Sequence, residues 1–259
     1  EMSASLVGSE MCIRDSYIAK TTNVSDLQDA LKATTVIYDK EGNQAGSLSG
    51  QKGTYVELDA ISDSLENAVI ATEDRTFYEN SGVNVKRFLL AIVSMGRFGG
   101  GSTITQQLAK NAFLTQEQTV TRKAKEFFLS LELTKKYSKQ EILTMYLNNA
   151  YFGNGVWGVE DASQKYFGTS AANLTVDEAA TLAGMLKGPE IYNPIDNIKN
   201  ATNRRNTVLA NMVDDKKLSQ ADADSAAGVD MASRLDDTYQ GTGDDYKYCL
   251  LYTSPSPRD

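Results

Sequence analysis

The chain has 259 residues, a formal net charge of -8, 41% apolar residues, two cysteines and no histidine. That length suits one large domain or two small ones, and the apolar share supports a packed core. The acidic balance argues against a nucleic-acid partner, and without histidine any proton transfer falls to carboxylates, lysine, tyrosine or water chains.

Both ends read as foreign. Residues 249–259 (Cys-Leu-Leu-Tyr-Thr-Ser-Pro-Ser-Pro-Arg-Asp) back-translate to a DNA string whose reverse complement, in another frame, encodes residues 6–15 (Leu-Val-Gly-Ser-Glu-Met-Cys-Ile-Arg-Asp). Two unrelated protein ends have no reason to be reverse complements. Residues 1–16 and 249–259 therefore resemble a translated sequencing adapter and stand outside the fold argument. Cys12 and Cys249 both fall there, which leaves 17–248 without material for a disulfide or a thiolate metal site. No apolar run reaches the roughly 18 residues that a membrane span needs.

Residues 17–33 predict a short polar helix. Thr35-Val-Ile-Tyr-Asp39, a Lys40-Glu-Gly-Asn43 turn and a second extended piece predict a hairpin, so 17–54 reads as linker plus hairpin. From about 60 the pattern is helical, and 55–227 reads as one mostly α-helical domain. Capping boxes mark helix starts at Thr103-Ile-Thr-Gln106, Ser138-Lys-Gln-Glu141 and Thr175-Val-Asp-Glu178. Ile142, Leu143, Tyr146 and Leu147 share one helical face. Glycine-rich loops interrupt at 99–101 and 153–158, and 228–248 is polar, Asp-rich and linker-like.

Four segments carry chemistry. In Ala71-Thr-Glu-Asp-Arg-Thr-Phe77 two adjacent acids end an apolar helix, where the dipole disfavours negative charge. That placement suits a cleft carboxylate; a solvated helix end partnered by Arg75 fits equally. Gly99-Gly-Gly-Ser-Thr-Ile-Thr-Gln-Gln-Leu-Ala-Lys-Asn111 opens a glycine loop into a capped helix, a place for an anionic phosphate. Thr103, Gln107 and Lys110 form its polar stripe, while Ile104 and Leu108 face the core. The spacing is not that of a P-loop, and an ordinary amphipathic helix remains open. In Arg122-Lys-Ala-Lys-Glu126, two cations share a face with one acid, as a pyrophosphate site or as a surface ion pair. Residues 86–98, Lys-Arg-Phe-Leu-Leu-Ala-Ile-Val-Ser-Met-Gly-Arg-Phe, are apolar with basic and aromatic flanks, suited to a membrane interface or to a core helix.

Taken together, these segments resemble the family 51 glycosyltransferase domain of class A penicillin-binding proteins, in a streptococcal-like form. The motifs Glu73-Asp-Arg-Thr-Phe77, Gly101–Asn111, Arg122-Lys-Ala-Lys-Glu126, Ile142-Leu-Thr-Met-Tyr-Leu-Asn148 and Arg204-Arg-Asn-Thr-Val-Leu209 occur in order. The blocks 149–158 and 184–189 fit too, and the resemblance covers about 55–225. It implies a mainly α, lysozyme-like fold and polymerisation of lipid II, with Glu73 as catalytic base. It implies that Asp74 positions Glu73, and that Glu126 acts with Arg122 and Lys123 on the departing pyrophosphate. Ser102, Thr103, Gln107, Lys110 and Asn111 are implied to bind the donor. No cofactor is required; a divalent cation (Mg or Mn) is compatible.

The implied setting is the outer face of the bacterial plasma membrane. There, 86–98 would touch the outer leaflet beside the cell-wall synthesis machinery, with an anchoring helix before residue 17 and a further domain after 248. Ser49-Gly-Gln-Lys52 imitates a transpeptidase Ser-x-x-Lys, but no later Ser-x-Asn or Lys-Thr-Gly completes it. One departure stands out: Asn80 occupies the position where the family usually has histidine. The competing readings are a lysozyme-like lytic glycosidase and a non-catalytic glycan-binding scaffold.

Overall fold

The computed structural model describes residues 24–32, 34–38, 40, 44–49, 53–84, 102–114 and 120–236. The proposed adapter segments, the 86–98 stretch and the 99–101 glycines lie outside the described residues. The predicted polar helix is described as α1 (Leu27–Lys32). The predicted hairpin is present: β1 (Thr34–Tyr38) pairs antiparallel with β2 (Gln44–Ser49), with a register shift between Ile37 and Tyr38.

The rest of the described chain is helical. α2 (Asp63–Glu73) starts at Ser62, whose hydroxyl accepts from the Leu65 N–H. It packs its fully buried Leu65, Ala68 and Val69 between α7 (Val176–Met185) and α8 (Ile198–Asp214). α3 (Ile104–Phe113) lies on α4 (Val120–Lys136) and α5 (Lys139–Asn149). α6 (Val159–Phe167) and α9 (Gln220–Ala227) complete the set. The predicted capping boxes at Thr103, Ser138 and Thr175 all form, which satisfies amide donors that the first helical turn leaves without partners.

α5 is deeply buried from Ile142 to Asn148. Ile142, Leu143, Met145, Tyr146 and Leu147 are all buried, a wider face than one amphipathic stripe, as expected for a helix enclosed by others. Its last turn carries Asn148, whose amide both accepts from the Val56 N–H and donates to the Val56 carbonyl, at 2.8 Å each. A side chain thus takes the place of a strand partner and ties the extended segment before α2 to the core.

The domain boundary shifts against the sequence reading, which assigned 228–248 to a linker. Residues 228–236 are folded onto the domain. Met231 is buried, and Arg205, itself buried in α8, donates to the carbonyls of Ala227 and Val229 at 2.8 and 2.9 Å. Arg234 pairs with Asp177 at 3.2 Å. Composition hides this because few apolar anchors are involved and the fastening is to backbone carbonyls. Among the described residues no helix is long and apolar enough to cross a membrane.

Candidate active site

Glu73 and Asp74 sit where α2 ends, and they divide the work. Asp74 leaves helical geometry while its N–H still bonds to Ile70. Its carboxylate is fully buried. It accepts from Asn80 Nδ2 at 3.0 and 3.1 Å, from Thr76 Oγ1 at 3.2 Å, and from the Ile104 N–H at 3.3 Å. The last donor opens α3, whose dipole favours an anion. Asp74 therefore fastens the end of α2 to the start of α3. Asn80 in turn accepts from Lys139 Nζ at 3.0 Å, and that ammonium lies 4.7 Å from the centroid of the Phe77 ring. Burial lowers the Lys139 pKa, with the Asp74 charge opposing the shift. At the position of the expected histidine, an amide thus relays a lysine to the buried acid.

Glu73 turns the other way. Its side chain is 16% exposed and lies 3.9 Å from Arg204 Nη2. Gln107 Nε2 donates to its Oε2 at 2.8 Å, and the Tyr146 hydroxyl donates to Gln107 Oε1 at 3.0 Å. Burial, then the Glu73 charge, push the Tyr146 pKa well up. Arg204 is held by the Gly184 carbonyl at 3.3 Å and lies 5.7 Å from the centroid of the Tyr192 ring. Gly184 permits this approach, since a Cβ there would lie 2.9 Å from Arg204 Cγ. Beside Glu73 opens a pocket of about 310 Å³ lined by Thr72, Arg75, Thr76, Asn84 and Asn211. Arg75 bonds to Asn211 at 3.2 Å across it.

The cationic motifs form a second set at the start of α3. Lys123 Nζ donates to Ser102 Oγ at 2.7 Å and pairs closely with Glu126. Glu126 is buried, and its Oε2 has no hydrogen-bond partner among the described residues. Arg122 is half-buried on the same helix. Thr103 is buried in its own cap: its hydroxyl donates to the Gly82 carbonyl at 2.6 Å and accepts from the Gln106 N–H at 3.1 Å. Gly82, at φ +92°, leaves no room for a Cβ, which would lie 2.3 Å from Thr134 Oγ1. Ile104 and Leu108 are fully buried as expected. Lys110 is half-buried and Asn111 exposed.

The structure thus joins Glu73 directly to Gln107, and Asp74 to the first turn of α3. Ser102, Lys123 and Glu126 form a separate contact set that α3 connects to them. Among the described residues no three His, Cys, Asp or Glu side chains gather into a metal site. Magnesium commonly uses one or two carboxylates together with substrate phosphates, and the free Glu126 oxygen fits that role without a protein cage. Tyr146, Arg204, Lys139 and Asn211 escaped the sequence reading as site residues. They come from distant parts of the chain, and only the need of a buried tyrosine hydroxyl for a partner hints at one of them.

A sequence family described as Transglycosylase matches residues 41–213. The chain belongs to the transglycosylase family. Among relatives of this transglycosylase, penicillin-binding protein 2a of Streptococcus pneumoniae is 67% identical over 231 residues, 89% of this chain and 32% of that protein. Penicillin-binding protein 1A/1B of Bacillus subtilis is 45% identical over 184 residues, 69% of this chain and 20% of that protein. The crystal structure of Penicillin-Binding Protein 1A from Haemophilus influenzae aligns at 26% identity with a TM-score of 0.44, over 77% of this chain and 21% of that one. The transglycosylase chain therefore spans a third or less of the length of these relatives.

Proposed function

We propose that this domain polymerises lipid II into glycan strands. In this reaction the acceptor 4-hydroxyl loses its proton to Glu73 and its oxygen bonds to the donor MurNAc C1. The bond from C1 to phosphate breaks with inversion, and a polyprenyl pyrophosphate leaves. Lys123, Arg122 and Lys110 complement its negative charge, beside Ser102 and Glu126. Gln107 orients the base, Asp74 and Thr103 hold α3 against it, and Asn111 extends the donor surface at the exposed end of the stripe. The reaction belongs at the outer face of the bacterial plasma membrane, with residues 86–98 as the contact with the outer leaflet.

The single observation that carries this reading is the placement of Glu73. It lies in a pocket, held by one amide and faced by one guanidinium, and α3 links it to a cationic set. A guanidinium complements a carboxylate in the charged form, which a base needs. The cationic set suits a diphosphate leaving group and has no task in hydrolysing a preformed glycan.

Incubation with lipid II tests it. Wild type is expected to form polymer, and Glu73→Gln to lose it by about 10²–10⁴-fold, the usual contribution of a general base. Equal activity of the two proteins rules out the mechanism. Shortened strands from preformed glycan identify a lytic enzyme instead.

A further inference from the structure

We propose that Tyr146 is a positioning residue for Glu73, acting through the amide of Gln107. The inference rests on the reading of Glu73 as the base.

Tyr146 lies in the buried stretch of α5 and is 2% exposed. A ring buried so deeply is explained by packing alone; its hydroxyl is not. That hydroxyl donates to Gln107 Oε1 at 3.0 Å, and Gln107 Nε2 donates to Glu73 Oε2 at 2.8 Å. The two ends of a primary amide have nearly the same shape and opposite polarity. Turned over, Gln107 would present its carbonyl oxygen to the Glu73 carboxylate, and two acceptors would face each other. The Glu73 carboxylate, which can only accept, disfavours the turned-over state, and the phenol proton, seated on Gln107 Oε1, stabilises the observed one. Burial and the nearby Glu73 charge keep that proton on Tyr146. The chain O–H to O=C, then N–H to carboxylate, is polarised in one direction, so each bond strengthens the next.

The arrangement also limits the rotamer of Glu73. Its other neighbour, Arg204, is 3.9 Å away, an electrostatic contact without hydrogen-bond geometry. Among the described residues the Gln107 amide is therefore the directional contact on the carboxylate, and Tyr146 helps keep that amide facing the right way. The aromatic ring fills the core, and the single oxygen at its tip sets the aim of the base.

Tyr146→Phe removes that oxygen and keeps the ring. Measured on lipid II with this chain, and referred to folded protein from thermal melts, kcat is expected to fall about tenfold. Misplaced reacting groups commonly cost this much or more. KM is expected to stay within about twofold, because no contact with substrate is removed. A second variant separates aim from packing. In a Gln107→Leu background, Tyr146→Phe is expected to lower kcat no further. Wild-type kcat in Tyr146→Phe, or an equal further loss in the Gln107→Leu background, overturns the proposal. Glu73→Gln is assayed beside them. If it stays active, the reading of the base fails. If it is inactive while Tyr146→Phe is unaffected, only the relay fails.

Discussion

Adjacent acids in this chain should respond differently to the same chemical change. Asp74→Asn keeps the shape and removes the charge. Oδ1 accepts from Thr76 and Asn80, and Oδ2 accepts from Asn80 and Ile104. Whichever way the new amide points, its NH2 group meets donors. Turning it toward Thr76 is the cheaper choice, because that hydroxyl can rotate and accept. The Asn80 amide then still loses an acceptor in a buried site, a loss that costs about 1–3 kcal/mol. Removing an anion from the N-terminus of α3 adds about 0.3–1 kcal/mol. The expected destabilisation is therefore about 1.3–4 kcal/mol. At about 2–4 °C per kcal/mol for a domain of this size, the midpoint should fall by roughly 3–16 °C. Glu73→Gln instead relieves a charge at a helix C-terminus, where negative charge is unfavourable, and its amide oxygen can still accept from Gln107. Its midpoint should match wild type within about 2 °C. Thermal unfolding followed by circular dichroism measures both. An Asp74→Asn midpoint equal to wild type refutes the claim that Asp74 fastens α2 to α3.

Lys123→Met should leave Glu126 buried beside an apolar neighbour. Because Lys123 is 38% exposed, the cost is discounted from that of a fully buried pair to about 1–2 kcal/mol; urea unfolding reads it, and polymerisation should weaken as KM for lipid II rises. Arg205→Met strips the Ala227 and Val229 carbonyls of their donors, so limited proteolysis should cut within 228–236 sooner than in wild type. Alkaline titration carries two signs. The folded-state pKa of Lys139 is lowered by burial, so the unfolded chain binds more protons, and this group adds stability as pH rises toward 10.5. The Tyr146 pKa is raised, so its contribution is complete below pH 10 and is lost above it. Relative to wild type, Lys139→Met should flatten the rise and Tyr146→Phe should soften the fall, both read as unfolding midpoints against pH.

Much of this was legible because local rules decide it. Thr103, Ser138 and Thr175 cap helices for reasons contained within four residues, and the alternation before Lys40 needs only its own turn to read as a hairpin. Glu73 could be suspected, since an acid ending an apolar helix is poorly placed for stability alone. Its surroundings could not be read. Gln107 and Arg204 reach it from two other helices, Tyr146 backs Gln107 from a third, and no spacing rule relates them. In the sequence Asn80 stands out only as a departure from the family's histidine. In the fold it serves as a two-ended connector, donating to Asp74 and accepting from Lys139, a role that depends on where α5 begins. The 228–236 segment was misplaced for a similar reason. Its attachment comes mainly from one arginine on α8, and composition counts the segment's own residues, not their distant partner.

The helix α3 has a mechanical meaning beyond its contacts. Ser102 and Thr103 at its head meet Lys123 and Gly82, and Gln107, one turn on, meets Glu73. At 1.5 Å of rise per residue, Thr103 and Gln107 are spaced by about 6 Å along a rigid rod. On the proposed mechanism, the distance between the carboxylate that takes the proton and the cationic set that meets the leaving group is thus measured off by backbone geometry. Adding or deleting a single residue between 103 and 107 would turn everything beyond it by about 100°, taking Gln107 away from Glu73 while leaving the composition of the helix almost unchanged. The length of that turn is a gauge, and the contacts at its two ends are set by it.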